Sequence, residues 1–313
     1  MYFTDKHYTK STENNKFIPE KSITFKCKSN TTKIQLAYGN SYGFKAEDFC
    51  SFDSEDFQID FLLLKNHIHF SGRYDKNSVI GFGPQLNSNQ IKERNEKYSF
   101  IKTLHNNLSL SYSFFFEFHE SSSGVLVIGA LPHEINPSKF KEKNYKFVGG
   151  LLTYNSVKWG HVFDVVDIQN PFNKEVPVVK FYDLTTYFAL EFNYIHVDIG
   201  VFNFFKTRIF MGLERTCEYK KEEEINYFKC KKIFDINQFK KIILYSRKLE
   251  MSFELDAKDL FLETDDGYIF LIINLSYEEE YEIDYWILGK PFLIYCVIIF
   301  LFFLKIKLYI YFA

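Results

Sequence analysis

The feature that most constrains this chain is the shortness of its apolar runs. Segments such as Lys33 to Tyr38 (KIQLAY) and Val125 to Gly129 (VLVIG) are β-prone and bounded by polar turn residues, and few stretches hold a helical period. An all-β protein is predicted. Gly39-Asn40-Ser41-Tyr42-Gly43 carries residues that tolerate positive φ, which predicts a hairpin tip there, and Ser123-Gly124 leads into the strand VLVIG. Two short helices are expected. One spans Tyr98 to Leu108, with Phe100, Ile101, Leu104 and Leu108 on one face; the other runs near Asn203 to Leu213. Gly149-Gly150 separates two β-like halves of comparable size, which predicts lobes at 1–150 and 151–313.

With 313 residues and 46% hydrophobic content the chain can bury a sizeable core. Lys plus Arg (38) nearly balance Asp plus Glu (40), so no strong field points to nucleic acid, and that partner class is set aside. Phe (37) and Tyr (22) are abundant. Aromatic side chains suit pleated, half-buried surfaces, although a compositional bias that inflates Phe, Tyr, Lys, Asn and Ile together explains the same excess.

Cys27, Cys50, Cys217, Cys230 and Cys296 show no C-x-x-C spacing, so a structural zinc site is not expected and either disulfides or free thiols remain. His67-Ile68-His69 lacks a third ligand and reads as two surface histidines. Sequons stand at Asn30, Asn107 and Asn274. The opening MYFTDKHYTK has no apolar stretch of the signal-peptide type. At the other end, Pro291 to Leu304 is uncharged and is followed by Lys305, Lys307 and further apolar residues to Ala313. It reads either as a terminal strand or as a membrane-associating segment.

One pattern recurs in both halves: Val79-Ile80-Gly81-Phe82-Gly83 and Trp286-Ile287-Leu288-Gly289 are each apolar-apolar-Gly after a polar stretch. A glycine there suits a buried strand end where two backbones approach closely. In order along the chain, FIPEKSITF (17–25), AYGNSYG with Tyr38, NSVIGFG (77–83), Phe114 to Phe118 with SGVLVIGALP, Lys158-Trp159-Gly160, Asp198-Ile199-Gly200 and WILGKPF (286–292) resemble segments of pepsin-like aspartic peptidases.

That resemblance implies a bilobal, pepsin-like double β-barrel with a central sheet between the lobes and an N-terminal lobe that is incomplete. It implies hydrolysis of peptide bonds by a carboxylate-activated water, without metal or cofactor, on a peptide or protein substrate, by a monomer in a secretory, lysosome-like or vacuolar setting. Asp198 falls at one catalytic carboxylate, Gly200 at the turn beneath it, and Tyr38 with Gly39 at the substrate-covering flap. Cys217 and Cys230 fall where the family has a disulfide.

Two departures argue against full activity. Ile199 stands where a Thr or Ser hydroxyl would brace the loop, with Val201 and Phe202 following where small hydroxyl residues belong. No Asp-Thr-Gly or Asp-Ser-Gly is present, and Tyr38 has only 37 residues before it. Asp5 lacks a glycine of that kind, and Asp265-Asp266-Gly267 lies in the other half. The alternative is a catalytically inactive relative that binds peptides or proteins.

Overall fold

The computed structural model describes residues 2–4, 22–28, 32–36, 39–52, 55–69, 100–110, 113–119, 123–141, 145–147, 150–152, 157–169, 178–189, 192–222, 225–275, 285–294, 296–301 and 307–312. Strand is the dominant state among them, as the short β-prone runs predict. Contacts divide the chain into two compact units, Met1–Ser113 and Phe114–Ala313. The division therefore follows Ser113, whereas composition places a lobe boundary at Gly149-Gly150; Gly150 instead opens a strand of the second unit's large sheet.

The first unit contains β1 (Tyr2–Thr4), β2 (Lys26–Cys27), β3 (Thr32–Leu36), β4 (Gly39–Phe52), β5 (Glu55–His69) and α1 (Phe100–Leu108). Its sheet has the order β1-β5-β4-β2, with β3 also paired to β4. Phe57, Ile59, Phe61 and Leu63 are buried at alternate positions of β5, the period of a strand with one face inward. Phe44 and Ala46 face them across the ladder from β4. α1 matches the predicted helix, with Phe100 and Leu104 buried.

The predicted hairpin is displaced. Leu36 pairs with Gly39, and Gly39 to Gly43 is strand, hydrogen-bonded to β3 on one side and β5 on the other. Ladder pairing on both sides overrides the turn preference of Gly and Asn. The β4–β5 register shifts between Tyr42 and Gly43, an irregularity that a glycine accommodates easily.

The second unit begins with β6 (Ser113–His119), β7 (Ser123–Ile128), α2 (Pro132–Ile135), β8 (Tyr145–Phe147), β9 (Gly150–Leu152), β10 (Val157–Gln169), β11 (Val178–Phe188) and β12 (Ile195–His196). It continues with α3 (Ile199–Phe204), β13 (Cys217–Glu222), β14 (Ile225–Lys231), β15 (Ile242–Ser246), β16 (Met251–Leu255), α4 (Ala257–Leu260) and β17 (Phe261–Thr264). It ends with β18 (Gly267–Leu275), β19 (Tyr285–Leu288), α5 (Lys290–Leu293), β20 (Cys296–Leu301) and β21 (Lys307–Phe312).

The large sheet runs β13-β14-β18-β12-β19-β11-β10-β15-β16, with β17 on β18 and β9 on β10. A five-stranded sheet, β7-β6-β20-β21-β8, joins the hairpin at 113–128 to the chain end. The uncharged stretch thus contributes β20, which pairs with β21 beyond it, and no helix among the described residues is long and apolar enough to cross a membrane.

Phenylalanines build the core of this unit in two groups. Phe163, Phe188, Phe253 and Phe292 gather with ring centroids 5.1–6.0 Å apart. Phe205, Phe210, Phe228, Phe239, Phe261 and Phe270 form the other, in which the Phe210 and Phe228 rings stack at 4.2 Å. Each buried ring removes a large apolar area from water, and edge-to-face pairs add about 0.5–1.5 kcal/mol beyond that.

Candidate functional site

Asp198 sits at the end of a strand held on both sides. β12 pairs in parallel with β18 (His196 opposite Ile273) and antiparallel with β19 (His196 opposite Ile287). The ladder extends one residue further, because Val197 N donates to Ile273 O at 3.0 Å. Asp198 then leaves the sheet with φ −59° and ψ 162°, and α3 begins at the next residue. Its Oδ1 accepts the Val201 N–H at 2.9 Å, so Asp198 is the helix N-cap and satisfies one of the first-turn N–H groups.

This cap moves the helix start upstream of the predicted Asn203. α3 covers Ile199–Phe204 and runs on as a π-helical turn over Phe205–Ile209. Gly200 is accordingly helical and makes no tight turn beneath the aspartate. Its contribution is space: a Cβ at this position would lie 3.1 Å from Asp198 Oδ1.

Ile199 is 36% exposed at the first helical position, while Val201 and Phe202 are buried. The Phe202 ring stacks on Phe228 at 5.5 Å, so it is taken into the aromatic core.

The WILGKPF segment lies next to this loop. β19 holds Trp286 to Leu288, and Gly289 comes so close to the chain entering β12 that a Cβ would meet Tyr194 O at 2.3 Å and Phe192 O at 2.4 Å. Lys290 N donates to Phe192 O at 2.8 Å, fixing the crossing. The close backbone approach expected of an apolar-apolar-Gly strand end is present here.

Beneath the loop runs a buried polar chain that the sequence reading missed. Asn274 Nδ2 donates to Val197 O at 3.2 Å, Asn226 Nδ2 donates to Asn274 Oδ1 at 3.1 Å, and Tyr219 Oη donates to Asn226 Oδ1 at 2.7 Å. Asn226 and Asn274 are directly opposite on β14 and β18 and are 2% and 0% exposed. Asn274 had registered only as part of a sequon. Its complete burial removes it as a glycan acceptor in the folded protein, whereas Asn107 is exposed on α1. The available signal was a lone amide inside each apolar run, INYF and LIINL, since a buried amide demands partners.

A second buried pair lies on other strands of the same sheet. His161 Nε2 on β10 is 2.7 Å from Ser246 Oγ on β15, and Ser246 Oγ also accepts the Leu249 N–H at 3.2 Å. The hydroxyl keeps a second lone pair and its proton, so which partner donates in the His161–Ser246 bond is set by the imidazole tautomer. Burial, and after it the charge of Lys248, pushes the His161 pKa down to about 4, with Asp164 opposing. The spacing matches a nucleophile and its base. Both residues are enclosed, however, at 3% and 0% exposure, and present no face to a substrate.

The remaining candidates are dispersed. Cys217 and Cys230 form a disulfide between facing residues of β13 and β14. Gly39 opens β4, and Tyr38 lies outside the described residues, as does NSVIGFG. Asp265-Asp266-Gly267 makes the β17–β18 turn, with Asp266 paired to Lys229 at 2.6 Å. Gly267 has φ +154°, and a Cβ there would meet Cys230 O at 2.0 Å. His67 and His69 belong to β5, but their side chains lie outside what is described.

No family model matches the chain, and no curated protein matches it.

Proposed function

We propose that this chain is a pepsin-like aspartic peptidase relative in which Asp198 supplies one carboxylate for water activation in peptide-bond hydrolysis, with activity impaired by its altered loop. The observation that carries this reading is the setting of Asp198. The aspartate emerges from a short strand clamped between one parallel and one antiparallel neighbour, and the antiparallel neighbour is the apolar-apolar-Gly strand of WILGKPF. A sheet joining the 113–128 hairpin to the C-terminal strands supports it too, since the family's central sheet requires such a union.

In this chemistry two carboxylates share one proton and hold a water. The ionised member takes a proton from that water as it attacks the carbonyl carbon, and the protonated one stabilises the developing oxyanion. In Asp198 the Val201 N–H engages Oδ1.

A second reading, peptide or protein binding without hydrolysis, is favoured by Ile199, which presents alkyl surface where a hydroxyl would tie the loop in place. The test is incubation of the full chain with a quenched fluorescent peptide library between acid and neutral pH, with and without pepstatin. Pepstatin-sensitive cleavage that vanishes in Asp198→Asn supports hydrolysis. Peptide binding without cleavage supports the second reading, and neither cleavage nor binding refutes both.

A further inference from the structure

We infer that the Tyr219–Asn226–Asn274 chain is the positioning device for the Asp198 carboxylate, replacing from beneath the loop the brace that Ile199 cannot provide. This inference rests on the reading of Asp198 as a functional carboxylate. Its structural basis is that both backbone polar groups of Val197 are committed to adjacent residues of β18. The Val197 N–H goes to Ile273 O, and the Val197 carbonyl receives the Asn274 amide. Val197 is therefore tied to β18 by two hydrogen bonds before the helix starts.

The direction of the chain is dictated by chemistry. A backbone carbonyl only accepts, so Asn274 must turn its Nδ2 toward Val197 and leave Oδ1 to accept. Asn226 must then donate through Nδ2, and its Oδ1 is left for a hydroxyl donor, which Tyr219 supplies. Every link donates toward the loop, so each polarises the next, and burial of both amides strengthens the effect.

Tyr219 is itself fixed, with its ring near Phe228 at 5.9 Å and Phe202 at 6.3 Å and with Lys206 Nζ 4.3 Å from its centroid. Phe202 and Lys206 belong to the helix that Asp198 caps. One tyrosine thus touches both the polar chain under the loop and the helix in front of it. None of these residues needs to contact substrate; they act through the backbone at Val197 and the cap at Val201.

The experiment uses the full chain with 13C-carboxyl-labelled aspartate, in which the Asp198 signal is the one lost in Asp198→Asn. Asn274→Leu keeps the volume and removes the amide; Tyr219→Phe keeps the ring and removes only the terminal donor. The expected results are a displaced Asp198 carboxyl 13C resonance at neutral pH in both variants and about tenfold faster exchange of the Val201 amide in Asn274→Leu, as a weakened cap would allow. Tyr219→Phe should show the same direction at smaller size.

Folded variants that lose melting temperature but keep the wild-type Asp198 carboxyl resonance and Val201 exchange would overturn the inference, leaving the network as core packing. Should Asn274→Leu fail to fold, Tyr219→Phe decides by the same two readouts. Neither readout depends on turnover, so a chain that cleaves nothing would sink the hydrolytic reading while the positioning claim was still decided. Where cleavage occurs, a positioning role lowers kcat with KM little changed.

Discussion

Acidification perturbs the second unit through His161, which is enclosed beside Ser246. Its folded pKa is about 4 against an ordinary 6.5. Between those values the unfolded chain holds a proton on this imidazole that the folded chain does not. The stabilising contribution is therefore complete above pH 6.5, declines as pH falls through the window, and is gone below about 4. At about 1.36 kcal/mol per pH unit of separation, the whole effect is about 3 kcal/mol, a large fraction of a typical folding free energy.

The assay is urea unfolding of the wild type and His161→Gln from pH 7.5 to 3.5, followed by circular dichroism. Glutamine can still hydrogen-bond to Ser246 but cannot titrate, and it loses the edge-to-face contact of His161 with Phe163 at 5.0 Å. A constant offset between the two proteins is therefore expected at neutral pH, narrowing by about 3 kcal/mol as acid removes the wild-type advantage. Stability curves that stay parallel from pH 6.5 to 4 would refute the argument, since carboxylate titrations are common to both proteins and cancel in the difference.

Two further outcomes follow from backbone geometry. Asp198→Ala should cost about 1 kcal/mol in thermal unfolding through loss of the α3 cap, whereas Asp198→Asn, a competent cap without the charge, should cost a few tenths; equal losses would show that the cap is not the stabilising contact. Gly289→Ala should destabilise by about 3 kcal/mol or more, because its Cβ would meet two backbone oxygens inside 2.5 Å; a melting temperature within about 2 °C of wild type would contradict the close crossing.

How much of this could be read beforehand depends on how local the cause is. α1 was legible because Phe100 and Leu104 repeat on one face, and the strand at VLVIG because its apolar run ends at turn residues. Gly39 to Gly43 misled because turn preference is local, while the pairing that overrides it comes from β5, well along the chain. The start of α3 was hidden by treating Asp198 only as an acid, although Asp followed by a helical run is also a cap signal. A lone amide in each apolar run signals that Asn226 and Asn274 need partners, but not that they partner each other: their positions become opposite only when β14 and β18 align, and no spacing rule encodes that register.

The acid sensitivity of His161 bears directly on the proposed chemistry. A carboxylate pair that shares a proton works where one member stays protonated, which places its range on the acid side of neutrality. That range overlaps the interval in which His161 withdraws about 3 kcal/mol from the unit that carries Asp198. The Asn226 and Asn274 amides under Val197 carry no titrating proton, so their hydrogen bonds persist across the same interval. Acid therefore reaches the Asp198 loop through the stability of the unit that carries it, and an acid limit of hydrolysis in this chain would include unfolding at His161.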